Sequence, residues 1–429
     1  MKIKVGLLGM GNVGTGTYKT LDMNREKIFD STGLDIEITK VLVNDTSKDR
    51  GIKLPSEKLT QNPDDIFLDK NIDIVVELIG GIEPASEFML KAMENGKHVV
   101  TANKAAVAAN YDKLINTAYK NKVMLRYEAS VGGGIPIINA LTTALTSNDF
   151  EEILGIVNGT TNYIMTQMTE YGLEYSDVLK VAQEKGFAEA DPTADVEGID
   201  VANKLSILMA IVFGIRISPD DIPREGITKI SKDDITFANN FGYKIKLLCT
   251  ARKSDNKLEC HVQPAFVPLS HPLASVSNEF NAVFVKGNAV DDLMFYGKGA
   301  GPMPTGSAVM GDILEISSSI AKGSAFDSAP AKINEKLEYV GEGSNKYYVR
   351  LSVTDLPGTL GKISTSFGDA GISVQSCMQV GSFDKDCKTV PVIFILREVT
   401  RDLLNKTLDK IVSNHDSVEK VDSVISVID

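Results

Sequence analysis

IKVGLLGMGNVGTG, residues 3–16, combines an apolar run with a glycine-rich segment. Its apolar run over 3–8 predicts a buried strand, and a helix is predicted after the glycines, to about Phe29. In such a turn one glycine allows the tight bend, one lets a pyrophosphate approach the backbone, and one lets the helix pack on the strand. The helix N-terminus adds free N–H groups and a partial positive charge. The stretch predicts dinucleotide binding, with a turn that only permits tight packing as the alternative; the candidate contacts are Gly9, Gly11, Asn12, Val13 and Gly14.

Strand and helix patterns alternate outward from this turn as far as residue 130. Further strands are predicted at 36–43, 72–79, 98–100 and 123–126, with helices at 84–96 and 104–119. Repeated β-α-β units imply a parallel sheet with right-handed crossovers. The fold class is therefore α/β, with a Rossmann-type doubly wound parallel sheet in a dinucleotide-binding domain over 1–130.

The regular alternation of predicted strands and helices ends after residue 130. Residues 131–300 are predicted to form an α+β domain, with a strand at 150–157, helices at 162–169 and 196–213, and strand-like alternation over 237–287. A helix is predicted within 301–322, and the sequence leaves open whether it packs back on the first domain. Residues 323–345 have the composition of a linker. Residues 346–429 follow the order β-α-β-β-α-β, which predicts a ferredoxin-like domain.

Composition and charge exclude several classes of protein. The 429 residues carry a net charge of −12, which argues against nucleic acid or an anionic membrane as the main partner. Four cysteines without CxxC spacing and four scattered histidines argue against a disulfide framework, a zinc site and a Ser/His/Asp triad. The longest apolar stretch, 205–215, is too short to span a membrane, and we expect no signal peptide. These features are typical of a cytoplasmic protein.

The residues after the second predicted strand leave the choice between NAD and NADP open. Asp45 could accept hydrogen bonds from a ribose or could cap its own loop. Lys48 and Arg50 could instead receive a 2′-phosphate. A plain surface loop explains Asn44 and these three residues equally well.

Two charged segments are candidates for chemistry. TANK, residues 101–104, follows the fourth major strand, where doubly wound sheets gather their ligands; Thr101 and Lys104 are therefore candidate site residues, although a first-turn lysine in solvent is the alternative. GFAEADPTADVEGIDVANKL, residues 186–205, carries five carboxylates within 189–200. Asp200 and Lys204 are four residues apart on a predicted helix, so they share a face. A lysine beside buried apolar residues must be paired with an opposite charge or lose its proton, and either state suits proton transfer. An ion pair between Asp200 and Lys204 on the protein surface is the alternative.

EASVGGGIP, residues 128–136, joins the first two predicted domains. Its glycines expose backbone carbonyl groups, which together with Glu128 could hold a hard cation. A flexible hinge explains the segment equally well.

Seven stretches of the chain, taken in order, resemble homoserine dehydrogenase of the type that ends in an ACT domain. The resemblance covers nearly the whole chain and rests on GLLGMGNVGTG, TANK, YEASVGGGIPII, GIVNGTTNYI, GFAEADPTADVEGIDVANKL, GKGAGPMPTGSAVMGD and VTDLPGTLGKI. It implies an NAD(P)-dependent oxidoreductase that interconverts L-aspartate 4-semialdehyde and L-homoserine in threonine and methionine biosynthesis. It also implies that residues 131–300 form a catalytic and dimerisation domain.

The resemblance assigns roles residue by residue. Lys204 is the expected proton donor to the nascent alkoxide, and Lys104 a second lysine touching cofactor and substrate. Glu189 and Asp200 are expected to hold the ammonium and hydroxyl ends of the substrate, and Asp195 to orient a lysine. Further expected contacts are the cofactor positions Gly186 and Gly301, and a monovalent-cation site, for Na⁺ or K⁺, at Glu128, Val131, Gly133 and Ile135.

The resemblance also implies regulation and assembly. In the C-terminal module the turn at Asp355 and Gly358 leads into a helix whose N-terminus can receive a carboxylate. L-threonine is the expected effector and a homodimer or homotetramer the expected assembly, while a dimerisation module without a ligand is the alternative. One departure is Asn44, since many members carry arginine there, and this leaves dual use of NAD and NADP open.

Two rival functions remain. Another ACT-containing dehydrogenase, acting on a 2-hydroxy acid, would pair a histidine with an acid, and no such pair stands out. A non-catalytic amino-acid sensor would not need the lysine and carboxylate set. A substrate panel distinguishes the first from homoserine dehydrogenase, and the absence of any nicotinamide absorbance change would favour the second.

Overall fold

The computed structural model describes residues 1–52, 54–323, 330, 333–380 and 389–428. The chain forms two compact units, each built from three segments. The first comprises Met1–Ile153, Val201–Asp221 and Phe280–Leu337, and the second Leu154–Asp200, Ile222–Glu279 and Glu338–Asp429. These bounds differ from the domain boundaries expected at residues 130, 300 and 345, and that division stays a prediction.

A six-stranded parallel sheet forms the core of the first unit. Its strands, in spatial order β3-β2-β1-β4-β5-β6, are β1 (Lys2–Leu8), β2 (Asp35–Leu42), β3 (Leu59–Thr60), β4 (Ile74–Glu77), β5 (His98–Thr101) and β6 (Leu125–Arg126). The helices of this part are α1 (Asn12–Thr32), α2 (Asp64–Phe67), α3 (Ala85–Glu94) and α4 (Lys104–Asn121). The apolar residues of β1, β2 and β4 are fully or nearly fully buried, as expected for parallel strands covered on both faces. The predicted α/β class with a parallel sheet is confirmed.

The middle of the chain mixes helices and strands. Its elements are α5 (Ile137–Asn139), β7 (Phe150–Ile156), α6 (Gly159–Tyr171), α7 (Tyr175–Glu184), α8 (Thr193–Val196), α9 (Ile199–Leu208), α10 (Lys232–Asn240), β8 (Tyr243–Ser254), β9 (Lys257–Pro268), β10 (Phe280–Gly287), β11 (Asp291–Lys298) and α11 (Pro302–Lys322). Strands β8 and β9 pair antiparallel, as do β10 and β11.

Two predictions for this part are wrong. The single helix expected over 196–213 is broken, because Gly198 has a φ of +77° between α8 and α9, and a π-helical segment, Met209–Phe213, follows α9. The strand-like alternation expected from 237 begins in a helix instead, because Ser231 and Asp234 form a capping box at the start of α10.

Helix α11 packs against α1 within the first unit. A Cβ atom on Gly16 would lie 1.9 Å from the carbonyl oxygen of Pro302, and one on Gly306 would lie 2.5 Å from the carbonyl carbon of Gly16. The two backbones approach this closely only because both positions lack a side chain. Residues 301–322 thus pack against α1, the helix that follows the glycine turn.

The C-terminal residues form β12 (Glu338–Gly341), β13 (Ser344–Thr354), α12 (Thr359–Asp369), β14 (Val374–Gln379), β15 (Thr389–Thr400), α13 (Arg401–Asn414) and β16 (Val418–Val427). From β13 onward the element order is β-α-β-β-α-β, with strands arranged β16-β13-β15-β14. Helices α12 and α13 bury Ile363, Phe367 and Leu404 against the strands. Strand β16 also pairs in parallel with β9, so this sheet continues into β9 and β8 of the second unit.

A buried ion pair ties α10 to β13 in the second unit. The guanidinium Nε of Arg350 lies 3.0 Å from Oδ1 of Asp234, whose side chain is fully buried. The hydroxyl of Tyr348 donates to the same carboxylate at 3.2 Å. Because removing either partner would leave a buried charge unpaired, this contact fixes α10 on the strand.

Candidate active site

The glycine turn requires glycine at two of its positions, Gly9 and Gly14. Gly9 has a φ of +102°, and a Cβ there would lie 2.8 Å from the carbonyl oxygen of Leu78. A Cβ on Gly14 would lie 2.6 Å from the carbonyl oxygen of Gly9. Gly11 is the N-cap of α1, and no side chain caps the helix there. The backbone is therefore open at the positive end of the helix, which suits a pyrophosphate.

A cavity of about 630 Å³ in the first unit adjoins this turn. Asn44, Asp45, Lys48 and Arg50 belong to its lining, together with Gly9. The carboxylate of Asp45 accepts hydrogen bonds from the amide and hydroxyl of Ser47, at 2.8 and 2.6 Å, and these bonds lower its pKa. Asp45 thus caps its own loop, while two cations line the cavity. The residues fit a nicotinamide dinucleotide, with one carboxylate and two cations beside the turn.

A hydrogen-bond network at the ends of β4 and β5 positions the TANK segment. The hydroxyl of Thr101 donates to the fully buried carboxylate of Glu77 at 2.6 Å and accepts from the amide of Asn103 at 3.0 Å. The side chain of Asn103 caps α4 by accepting from Ala106 N–H at 3.1 Å. Lys104 is consequently held in the first turn of α4. Sequence reasoning missed Glu77 and Asn103, although an acid that ends an apolar strand was a visible signal.

The two predicted lysines both lie in the first unit. Lys104 is half-buried in α4, and Lys204 in α9 is only 7% exposed. Residues 108–113 of α4 line one cavity of about 330 Å³ together with Ser206 and Ile207 of α9 and Ala210 just after it. The helices that carry the lysines are therefore neighbours; convergence of the two ammonium groups on one atom stays a prediction.

Two of the three predicted site carboxylates share a hydrogen-bond donor, and the third is exposed. Asp195 in α8 and Asp200 in α9 both accept hydrogen bonds from the side-chain amide of Asn158, at 2.6 and 2.9 Å. Glu189 lies in the loop after α7 with its side chain exposed. Gly186, which follows α7, has a φ of +75°. Sequence reasoning missed Asn158, since nothing local marks a residue that binds acids 37 and 42 positions away.

The segment 128–136 is tightly packed in the first unit. The buried carboxylate of Glu128 accepts from the backbone amides of Ile138 and Asn139, at 2.8 and 2.7 Å. Burial raises its pKa. The Glu128 carboxylate therefore caps α5. Its backbone carbonyl group is a better candidate than its carboxylate for the expected contact to a cation. Among the described residues, no group of three or more His, Cys, Asp or Glu side chains is placed to hold a metal ion.

Backbone geometry around the cation candidates is constrained. Gly133 has a φ of +55°, and a Cβ there would lie 2.3 Å from the carbonyl oxygen of Gly299. The carbonyl of Ile135 accepts from Ile137 N–H at 2.8 Å, and Val131 is fully buried. A carbonyl oxygen has two lone pairs, so a bond to an amide does not prevent it from contacting a cation. The chemistry of these groups fits a monovalent ion held by carbonyls.

Family models of known proteins match two parts of the chain. The model described as homoserine dehydrogenase matches residues 136–314, and the model of the NAD-binding domain of homoserine dehydrogenase matches residues 9–128. The homoserine dehydrogenase of Bacillus subtilis is 40% identical over 379 residues, covering 88% of each chain. That of Synechocystis is 38% identical over 440 residues, covering 100% of both.

The chain belongs to the homoserine dehydrogenase family. It is an NAD(P)-dependent oxidoreductase of amino-acid biosynthesis. Among solved structures, a homoserine dehydrogenase from Thiobacillus denitrificans matches with a TM-score of 0.92 and 39% identity, over 100% of this chain and 99% of the other. A hyperthermophilic archaeal homoserine dehydrogenase in complex with NADPH matches with a TM-score of 0.64 and 25% identity, over 76% and 100%.

The remaining expected site residues lie at turns. Gly301 has a φ of +110° and precedes α11. Gly358 has a φ of +88° as the N-cap of α12, and the carboxylate of Asp355 accepts from the side-chain amide of Gln379 at 2.7 Å.

In the part of the chain that the structure describes, no helix is both long and apolar enough to cross a membrane.

Proposed function

We propose that this homoserine dehydrogenase interconverts L-aspartate 4-semialdehyde and L-homoserine. The observation that carries the proposal is the arrangement of α9, on which Asp200 and Lys204 are one turn apart and both buried, at 5% and 7% exposure. A buried lysine that keeps a carboxylate within one turn is suited to deliver a proton.

Each candidate residue has a proposed task. The ammonium group of Lys204 stabilises the oxyanion that develops on the aldehyde oxygen and then delivers its proton. Lys104 donates a second hydrogen bond from α4, while Asp195 orients a lysine. Glu189 and Asp200 hold the ammonium and hydroxyl ends of the substrate, which converts binding energy into alignment.

The proposed cofactor is a nicotinamide dinucleotide, with NADP(H) preferred. When bound, its reduced form supplies the hydride for the carbonyl carbon. Gly9, Gly11 and Gly14 would hold the pyrophosphate, with Asn12, Val13, Thr101, Gly186 and Gly301 as further candidate contacts. Lys48 and Arg50 line the adjoining cavity beside the single carboxylate of Asp45, so the net local charge is positive and favours a 2′-phosphate.

An Arg50→Ala variant tests the cofactor preference. Loss of one charge-assisted contact should lower kcat/KM for NADPH by roughly tenfold and leave NADH little changed. Equal losses with both cofactors would contradict a contact to the 2′-phosphate. Lys27→Ala, on an exposed stretch of α1, is a matched control for loss of one positive charge.

A monovalent cation, Na⁺ or K⁺, is proposed at the carbonyls of Glu128, Val131, Gly133 and Ile135. The support is the chemistry of a buried, carbonyl-rich loop with glycine-only geometry. Hard ions with weak hydration prefer such oxygen ligands. Activity in NaCl, KCl and tetramethylammonium chloride at equal ionic strength tests the site; equal rates in all three would contradict it.

The C-terminal module is proposed to be an ACT domain that binds L-threonine. Its β-α-β-β-α-β order supports this, as does the positive-φ N-cap Gly358, which leaves the first amides of α12 without a side-chain cap near Asp355. We expect a cytoplasmic homodimer or homotetramer. Thermal-shift and inhibition titrations with threonine test the effector, and no response in either would leave a dimerisation role alone.

A single spectrophotometric assay tests the central proposal. Aspartate semialdehyde is added with NADPH or NADH, with and without threonine, and absorbance of the reduced cofactor is followed. Consumption of the cofactor with formation of homoserine is expected. Turnover only with 2-oxo acids, or no absorbance change at all, would contradict the proposal.

A further inference from the structure

One amide group holds both ordered carboxylates of the candidate site. Nδ2 of Asn158 lies 2.6 Å from Oδ1 of Asp195 and 2.9 Å from Oδ2 of Asp200. The asparagine and Asp200 are each only 5% exposed. We propose that Asn158 is a positioning residue for the reaction, setting the spacing of these two acids; this rests on the proposed function.

The orientation of the amide is set from its other end. Oδ1 of Asn158 accepts from the amide of Thr161 at 2.8 Å and from its hydroxyl at 3.0 Å, so the asparagine is the N-cap of α6. Rotating the side chain by 180° would turn its oxygen toward two carboxylates and its NH₂ toward an N–H donor. Both ends therefore specify the same orientation.

The two acids need such a common partner because they lie on different helices. Asp195 is in α8 and Asp200 in α9, and Gly198 interrupts the helical path between them with a φ of +77°. Their separation is thus not set by helical geometry. A single NH₂ group with two hydrogen atoms, each directed to one acid, sets it instead.

The position of Asp200 matters to the chemistry through α9. Lys204 follows it by one turn on the same helix, so displacement of Asp200 changes the charge that the ammonium group faces. Two carboxylates without the shared donors would also repel each other. Loss of the bridge should therefore change both turnover and its pH dependence, and not only the stability of the fold.

The test uses Asn158→Asp in the full-length protein. Aspartate keeps the shape and the oxygen that caps α6, but it loses both donors and adds a negative charge. A misplacement of about 1 Å typically costs roughly 10²-fold in rate, so we expect kcat to fall by about that factor. The acidic limb of the kcat profile should move to higher pH, because a third carboxylate raises the pKa of its neighbours.

Two further variants separate positioning from structure. Thr169→Val removes a threonine hydroxyl bond at the other end of α6, to the carbonyl oxygen of Met165 at 2.6 Å, so kcat and its pH profile should stay at wild-type values. Asn158→Ser retains a capping oxygen and at most one donor, and it should lose less turnover than Asn158→Asp. It also serves if the aspartate variant fails to fold, as judged by circular dichroism.

The outcomes distinguish this role from the proposed function. Wild-type protein without turnover of the semialdehyde overturns the function, and this role with it. Active wild-type protein together with an unchanged kcat and pH profile in both Asn158 variants overturns only the role of Asn158. A lower melting temperature at unchanged kcat would show that the residue is a helix cap and nothing more.

Discussion

The glycine turn and the carboxylate pair are built in opposite ways. The turn consists of backbone from one short stretch, residues 9–16, and needs glycine because its atoms nearly touch. The carboxylate pair consists of side chains from α8 and α9 that depend on Asn158, which is distant in the sequence. A site made of backbone can be altered only by damaging the fold, whereas a site made of side chains can lose its chemistry while the fold persists.

The largest expected effect is at the carboxylate side, in Lys204→Ala. A positioned proton donor typically contributes about 10²–10⁴-fold, so turnover should fall by that range while the cofactor still binds. Steady-state kinetics and titration with NADPH measure the two properties separately. Lys120→Ala, an exposed lysine of α4, should behave as wild type. Wild-type turnover in the Lys204 variant would show that this side chain does not contribute to the reaction, contrary to the role assigned to the side-chain site.

The matching test on the backbone side is Gly16→Ala. Its Cβ would lie 1.9 Å from the carbonyl oxygen of Pro302, so α1 and α11 must separate. Overpacking of this kind typically costs about 1–3 kcal/mol, and the free energy of unfolding should fall accordingly. Gly311→Ala is the control, because its Cβ meets open space on α11 and alanine favours a helix. Equal stability of the two variants would contradict the close approach of the helices.

Asp312, outside both regions, shows what burial does to an acid with few donors. Burial, and secondarily the charge of Glu128, raise its pKa well above the ordinary value. Its contribution to stability is therefore complete below about pH 4 and is lost as the pH rises toward the folded-state pKa. Asp312→Asn cannot ionise, so the variant should gain stability relative to wild type as the pH is raised from about 4 upward.

Melting temperatures measured across that pH range test this expectation. Asp22→Asn, at an exposed position of α1, should show no such trend. The amide oxygen of the new asparagine can still accept the hydrogen bond that Oδ2 of Asp312 accepts from Glu128 N–H at 2.9 Å. A parallel pH dependence of the wild type and the variant would show that Asp312 does not titrate in this range.

The smallest expected effect is in Glu189→Ala. Its carboxylate is exposed, and exposed ion pairs contribute little, so the KM for homoserine should rise only a few-fold, to about fivefold, with kcat almost unchanged. Glu184→Ala, an exposed acid at the end of α7, is the matched control. An unchanged KM would argue against an ammonium contact and would confine the side-chain site to its buried members.

Local patterns predicted the first unit well. The strand β1, the turn and α1 follow from residues that are adjacent in the chain, and β4 is apolar because both faces of a parallel sheet are covered. The prediction of one helix over 196–213 was wrong because apolar periodicity continues through Gly198, whose backbone conformation periodicity does not register. The sequence also did not distinguish the two roles predicted for Asp45, a ribose contact and a cap of its own loop. The same carboxylate could serve either, and in the structure it accepts a hydrogen bond from Ser47.

The dinucleotide turn, the parallel strands and the position of the candidate lysine Lys204 in an acid-rich segment could all be predicted from the amino-acid sequence. These depend on interactions within a few residues of one another, which local composition encodes. Three contacts could not be predicted in this way: Asn158 joins Asp195 to Asp200, Glu77 anchors the segment before Lys104, and Glu128 caps α5. Those contacts are hydrogen bonds between distant segments, and their geometry exists only once the sheets and helices have packed.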